Sequence, residues 1–186
     1  MVQQQKKIKR KRWYPILPTS QFRIQEIGES FTAEPSKLIG KTVSVNAMEL
    51  TRDPKKQNVK LIFKITEVKD NKAFTEIKSY QMLNSAVKRF ITQGKSKIDS
   101  SFKLETKDNI NVVAKPVLIT RSKTSRSILS RLRKNSEEFL KTTVKKNTYN
   151  ENINLLLDAR LQSQLREHLK KTYPLSGCHI RIFEKR

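Results

Sequence analysis

Asp99, Glu105 and Lys107 have residue types and spacing that metal-dependent cleavage of nucleic acid can use. In such sites an acid, then an acid and a lysine one residue apart, hold a divalent ion and activate water from neighbouring strands. All three positions are odd-numbered, so one continuous strand would present them on one face. The same parity has a plainer cause. Ile98, Phe102 and Leu104 claim the even positions for a buried face, so any charge there must fall on an odd one. A third carboxylate near the ion is missing from the pattern, and a nuclease stays an alternative only. Histidine and cysteine add little. His168 has no second His or Cys one turn away, and adjacent Cys178 and His179 point to opposite faces of a strand. The single cysteine, Cys178, excludes an intrachain disulfide and reads as a buried, inert thiol. The four glycines are scattered, so no Gly-rich phosphate loop exists. Neither a metal, a cofactor nor a small-molecule substrate is expected, and the chain reads as a binding protein rather than an enzyme.

Basic residues form the richer constellation. Residues 115–146 carry ten bases (Lys115, Arg121, Lys123, Arg126, Arg131, Arg133, Lys134, Lys141, Lys145 and Lys146) against Glu137 and Glu138. Residues 121–126 form a Ser/Thr-rich loop opening a helix, whose first amides favour phosphate. Arginine forks add bidentate contacts to phosphate oxygens. Residues 85–97 contribute Lys88, Arg89, Lys95 and Lys97 without an acid, and residues 2–12 contribute Lys6, Lys7, Lys9, Arg10, Lys11 and Arg12, again without one. A solvated face accounts for any one of these bases but not for three acid-poor stretches. Over the whole chain, 40 Lys and Arg face 17 Asp and Glu, a formal charge of +23 on 186 residues. Self-repulsion of that size opposes compaction, so a polyanionic partner is expected. No apolar run approaches the roughly 18 residues of a membrane span, and no signal-peptide core is visible. The chain is therefore expected to be cytoplasmic, with nucleic acid rather than membrane as its partner.

The elements that must position these bases are legible from periodicity. Residues 1–12 are expected to be an extended basic tail, disordered until it meets RNA, and residues 13–186 a single α+β domain. Within it, residues 13–120 are strand-rich and residues 121–186 are helical with a final strand. Trp13 and Tyr14 end the tail, with Trp13 expected to anchor it on the core. Residues 42–50, 59–68 and 73–80 read as an antiparallel meander. Val59, Leu61, Phe63 and Ile65 share one face of its second strand. Residues 83–93 read as a short helix and residues 97–107 as a strand. Asp108-Asn109 reads as a tight turn. Residues 111–120 are apolar on both faces, as in a central strand, although Pro116 argues against full pairing there. Two helices follow, 125–146 and 152–172, the second broken near Asp158, with Leu157, Leu161, Leu165 and Leu169 in one row. Residues 179–183 alternate as a last strand. The expected fold is α+β, with an antiparallel, barrel-like sheet, a short middle helix and two C-terminal helices.

Seven segments in this order resemble the archaeal and eukaryotic small-subunit ribosomal protein family called S-three-A, or S-one-e. They are Trp13-Tyr14, Glu26-Ile27-Gly28-Glu29-Ser30, Leu38-Ile39-Gly40-Lys41, Met48-Glu49-Leu50-Thr51, Leu61-Ile62-Phe63-Lys64-Ile65, Thr106-Lys107-Asp108 and Lys171-Thr172-Tyr173-Pro174-Leu175. The wording and shortness look archaeal. Asn109 departs from the Gly that the family often has after Lys-Asp, which touches only the turn type. The resemblance implies a structural component of the small ribosomal subunit, on its platform near the mRNA exit. The partners it implies are ribosomal RNA and neighbouring ribosomal proteins, with mRNA near the exit as a further one. It implies no catalysis. A freestanding nucleic-acid chaperone is the other non-enzymatic alternative.

Overall fold

The computed structural model of the chain describes residues 10–19, 21–22 and 26–186. In chain order its elements are β1 (Arg12–Leu17), β2 (Gly28–Thr32), β3 (Thr42–Asn46), α1 (Ala47–Thr51), β4 (Val59–Lys69), β5 (Lys72–Met82), α2 (Asn84–Phe90), β6 (Lys97–Asp99), β7 (Phe102–Glu105), β8 (Asn111–Thr120), α3 (Arg126–Lys146), α4 (Tyr149–Leu157), α5 (Arg160–Lys170) and β9 (Leu175–Lys185). The class is α+β, as the periodicity predicts. The expected Lys6, Lys7 and Lys9 lie outside the described residues.

The hairpin of β4 and β5 organises the sheet. Asp70 and Asn71, both at positive φ, make its two-residue turn, a geometry that suits the right-handed twist of the flanking strands. Leu61, Phe63, Ile65, Ala73 and Ile77 alternate onto its buried face. β4 carries β3 on its other edge. The far edge of β5 is shared. β9 pairs antiparallel with residues 79–81, and β1 pairs parallel with Ala73 and Phe74. The nine-stranded sheet is therefore mixed, where an antiparallel one was expected. β9 covers only one end of the β5 edge, and β1, itself hairpinned to β2, occupies the other. The sheet is not a closed barrel either: β3 on one side and β6 and β7 on the other have no strand pairing between them. Helices α3, α4 and α5 fill the core that closure would have enclosed.

β8 lies between β9 on one edge and β6 and β7 on the other, and residues 116–120 are all buried. Pro116 is accommodated at a gap. Its carbonyl accepts from Ser100 N at 3.3 Å, so its missing N–H faces the same edge, where the chain breaks between β6 and β7. A residue with no donor cannot continue a ladder, which is why the strand expected over residues 97–107 is two short ones. Across the other edge, the register shifts between Lys115 and Pro116, leaving Arg181 as an extra residue in β9. That bulge flips the alternation, so Cys178 and Ile180 before it and Phe183 after it all reach the core.

Other expectations need correction. The strand expected over residues 42–50 stops at Asn46, whose Oδ1 accepts from Met48 N at 3.0 Å and starts α1. The helix expected over 83–93 ends at Phe90. The second C-terminal helix is broken near Asp158, as the sequence predicts, which makes three helices in all. Ala159, at φ 57, separates α4 from α5, and Thr148 and Glu151 form a capping box that starts α4. Trp13 does not anchor the tail. It is 61% exposed and packs on Phe31, while its neighbour Tyr14 takes the buried place. Alternation explains the exchange, since only one of two adjacent strand residues can face inward.

The helical layer seats on the sheet through two rows, Leu132, Ser136, Leu140 and Val144 on α3 and Leu161, Leu165 and Leu169 on α5. Leu165 is 0% exposed. Leu165→Ala should lower unfolding stability by about 2–5 kcal/mol in denaturant titration. Thr148→Ala, which removes one cap from an exposed helix start, should cost only about 1 kcal/mol.

Candidate nucleic-acid interface

Two of the three acid-poor stretches meet in space. Thr120, at the end of β8, is wholly buried and acts as a clasp. Its Oγ1 accepts from Ser96 N at 2.9 Å, and its one proton lies between two carbonyls, Ser122 O at 2.7 Å and Ser96 O at 3.1 Å. Ser96 Oγ in turn accepts from Thr124 N at 3.3 Å. This fixes the segment carrying Lys95 and Lys97 against the loop carrying Arg121 and Lys123. A third strip joins them: Arg121 N donates to Pro174 O at 3.1 Å, and Ser122 Oγ and the Tyr173 hydroxyl share a 2.7 Å hydrogen bond.

The start of α3 lies on the same cluster. Ser125 provides no side-chain cap and the first turn contains no acid. Uncapped amides and the positive end of the helix dipole thus coincide with Arg126, an arrangement that an anion relieves. Arg121, Lys123, Arg126, Arg131, Arg133 and Lys134 are all exposed, and none has an ion-pair partner among the described residues. Lys88 and Arg89 are exposed on α2, and Arg89 donates to Asn58 Oδ1 at 2.6 Å. Lys95 donates to Ser176 Oγ at 2.8 Å. Lys97 is partly neutralised by Asp99 at 2.6 Å.

The third stretch is elsewhere. Arg10, Lys11 and Arg12 are exposed at the start of β1, and β1 pairs with β5 at Ala73 and Phe74. That is about 30 Å along the strand from Met82, where α2 follows, at roughly 3.3 Å per residue. Lys11 lies over the Phe31 ring, its Nζ 5.8 Å from the centroid.

Residues that the sequence did not mark line a trench beside the cluster. One cavity, about 460 Å³, opens between β5, β9 and α5, with Asn58, Tyr80, Phe90, Gln162, Arg166 and His179 in its wall. A second, about 630 Å³, includes Arg121, Arg166 and Lys170. Ser163, Arg166 and Ser176 belong to both, so the two run together. Phe90 and His179 stack with ring centroids 4.2 Å apart and 13° between planes. Burial, with help from the nearby Arg166 charge, pushes the His179 pKa down. Burial pushes the Cys178 thiol up to about 12. The only sequence-level trace of the trench is the polar face of α5, opposite its leucine row.

The nuclease constellation does not assemble. Asp99 is paired with Val117 and Glu105 with Asn111, six residues apart on β8, which separates the two carboxylates by about 20 Å. Asp99 is also held by Lys97. No group of three or more His, Cys, Asp or Glu among the described residues could hold a metal ion.

Comparison with known proteins supplies an independent line. The model of the Ribosomal S3Ae family matches residues 2–184. Small ribosomal subunit protein eS1 of Halorubrum lacusprofundi is 31% identical over 170 residues, 91% of this chain and 79% of that protein. The protein of the same description from Nanoarchaeum equitans is 33% identical over 175 residues, 94% of this chain and 88% of its own length. That from Methanobrevibacter smithii is 32% identical over 172 residues, covering 92% and 89%.

Two observables check this geometry. Cys178 should resist maleimide at pH 8 in the folded protein and react on unfolding, because its thiol stays protonated; rapid labelling of the native chain would contradict its burial. The His179 ring should titrate below the ordinary 6.5 by NMR. A histidine depressed on folding favours the native state above its unfolded pKa and withdraws that contribution as pH falls. Arg166→Ala should move the midpoint upward, since it removes a repelling charge.

Proposed function

Because the chain belongs to the Ribosomal S3Ae family, we propose that it is a non-enzymatic structural constituent of the small ribosomal subunit, working in translation in the cytoplasm. The match over residues 2–184 carries this reading. Its partners are ribosomal RNA and neighbouring small-subunit proteins, on the platform near the mRNA exit, with mRNA as a further contact. Residues 1–12 act as a basic arm and residues 13–186 as a rigid body that presents the remaining charge.

The RNA contact rests on the clasp at Thr120. It holds Lys95, Arg121 and Lys123 together beside the uncapped start of α3 with Arg126. Lys88, Arg89, Lys97, Arg131, Arg133 and Lys134 extend this face, while Arg10, Lys11 and Arg12, with Lys6, Lys7 and Lys9 before them, serve a second one. Phosphates docking on such a surface release condensed counterions, so with 6–10 contacts the affinity falls by roughly a thousandfold or more between 50 and 200 mM salt. Contacts of this kind position a protein on shape rather than sequence.

Two experiments test the reading. The chain should co-sediment with small subunits; a protein found mainly free would favour a freestanding chaperone. The double variant Arg126→Glu, Arg131→Glu should keep its melting temperature within a few degrees, because both residues are exposed, yet fail to enter small subunits. Normal incorporation would sink the α3 contact.

A further inference from the structure

We propose that the 460 Å³ cavity between β5, β9 and α5 takes the base of an unpaired RNA nucleotide, with flanking phosphates on Arg166, Lys95 and Arg89. This rests on the reading of the chain as an RNA-binding ribosomal protein, and adds a site where one splayed base is held rather than a duplex backbone.

The cavity is built for a flat, amphipathic group. Its volume lies within the range of about 300–1,000 Å³ common for small-molecule sites. Val59, Ile119 and Leu156 give it apolar walls. Phe90, 37% exposed although large and apolar, stands in its wall stacked on His179. That backing fixes the ring plane, and burial keeps the imidazole neutral. Aromatic faces presented in this way are what unpaired bases stack upon.

The polar chemistry selects a base edge. Gln162 is 8% exposed and lines the cavity. Its Nε2 donates to Leu156 O at 3.2 Å, which sets the orientation of the amide. The Tyr80 hydroxyl meets this amide through a side-chain hydrogen bond, while Oε1 has no hydrogen-bond partner among the described residues. A buried acceptor without a donor costs about 1–3 kcal/mol. Oε1 sits just behind the cavity surface, so the amide must turn to meet an incoming base, whose amino or imino N–H donates where a phosphate has no proton to give. Phosphates are served at the rim. Lys95 sits on Ser176 and Arg89 on Asn58, both lining residues. Arg166 donates to Leu175 O at 3.2 Å. None of these three bases has an acid partner among the described residues, whereas nearby Lys56 is held by Asp158.

A base inside a helix cannot enter such a cavity without leaving its stack, so the site discriminates strand from duplex. The test uses the full chain and fluorescence anisotropy with a short labelled RNA, single-stranded or annealed to its complement, in one buffer. The single strand should bind more tightly. Phe90→Ala and Gln162→Leu should each weaken it roughly tenfold, as expected from loss of one base contact, and leave duplex affinity unchanged. Phe90 is at the surface, so its variant decides the matter if Gln162→Leu fails to fold in a thermal melt. Equal affinity of the wild-type protein for both forms, or unchanged binding in Phe90→Ala, would overturn the proposal. So would displacement of the strand by micromolar adenosine monophosphate, which would assign the cavity to a free nucleotide. These outcomes leave the ribosomal reading intact, because Arg126→Glu, Arg131→Glu should weaken both RNA forms together.

Discussion

Folding leaves the charge of this chain almost wholly unneutralised, and that constraint shapes the rest of the molecule. The described buried positions include no Lys, Arg, Asp or Glu. Eight salt bridges form among the described residues, against 40 bases. Most of those pairs have exposed partners, where the gain is about 0–1 kcal/mol. Burying bases would cost several kcal/mol each, so they stay outside and repel one another. The compact state then depends on a core without charged groups, and an external anion relieves the repulsion outside it. The uncapped start of α3 and the unpaired Lys and Arg beside it are unfavourable in the free protein for the same reason that they suit RNA.

Neutral side chains bring the bases into register. Thr120 ties two loops, and its place at the end of β8 follows from that strand's burial on both faces. Pro116 breaks the neighbouring strand into β6 and β7, and the β6 side leads directly to Ser96. Arg181 and Ser176 are the extra residues that let β9 follow β8 while keeping Leu175, Cys178, Ile180 and Phe183 inward. These irregularities set where β9 meets α5, and therefore where the trench opens. Scaffold and candidate interface share the same few backbone departures.

The sequence spoke clearly wherever periodicity met burial. The row Leu161, Leu165, Leu169 and the two-faced strand at residues 111–120 are where alternation and the 3.6-residue repeat place them. Boundaries were less visible. Asn46 ends a strand because its side chain caps the next turn; the helix break near Asp158 was legible, but not that Ala159 makes it by adopting a left-handed backbone without being glycine. Parity alone could not tell that Tyr14, not Trp13, faces inward. At the interface, the basic stretches were legible as composition. Their meeting at Ser96 and Thr124 was not, because it is made by hydroxyls and amides distant in sequence. Gln162 and Arg166 were missed for a related reason: on the polar face of an amphipathic helix, an orphaned acceptor looks like any solvated residue.

Lysine footprinting of intact small subunits against the free protein tests the central claim most directly. Amine acetylation reads every lysine separately, and charge neutralised by RNA is charge protected. Lys88, Lys95, Lys123 and Lys134 should become protected in the subunit, while Lys37 and Lys141, each paired with a glutamate on its own segment, should react as they do in the free chain. Protection spread evenly over all six, or absent at Lys95 and Lys123, would contradict the account that the clasped loops form the RNA-facing surface.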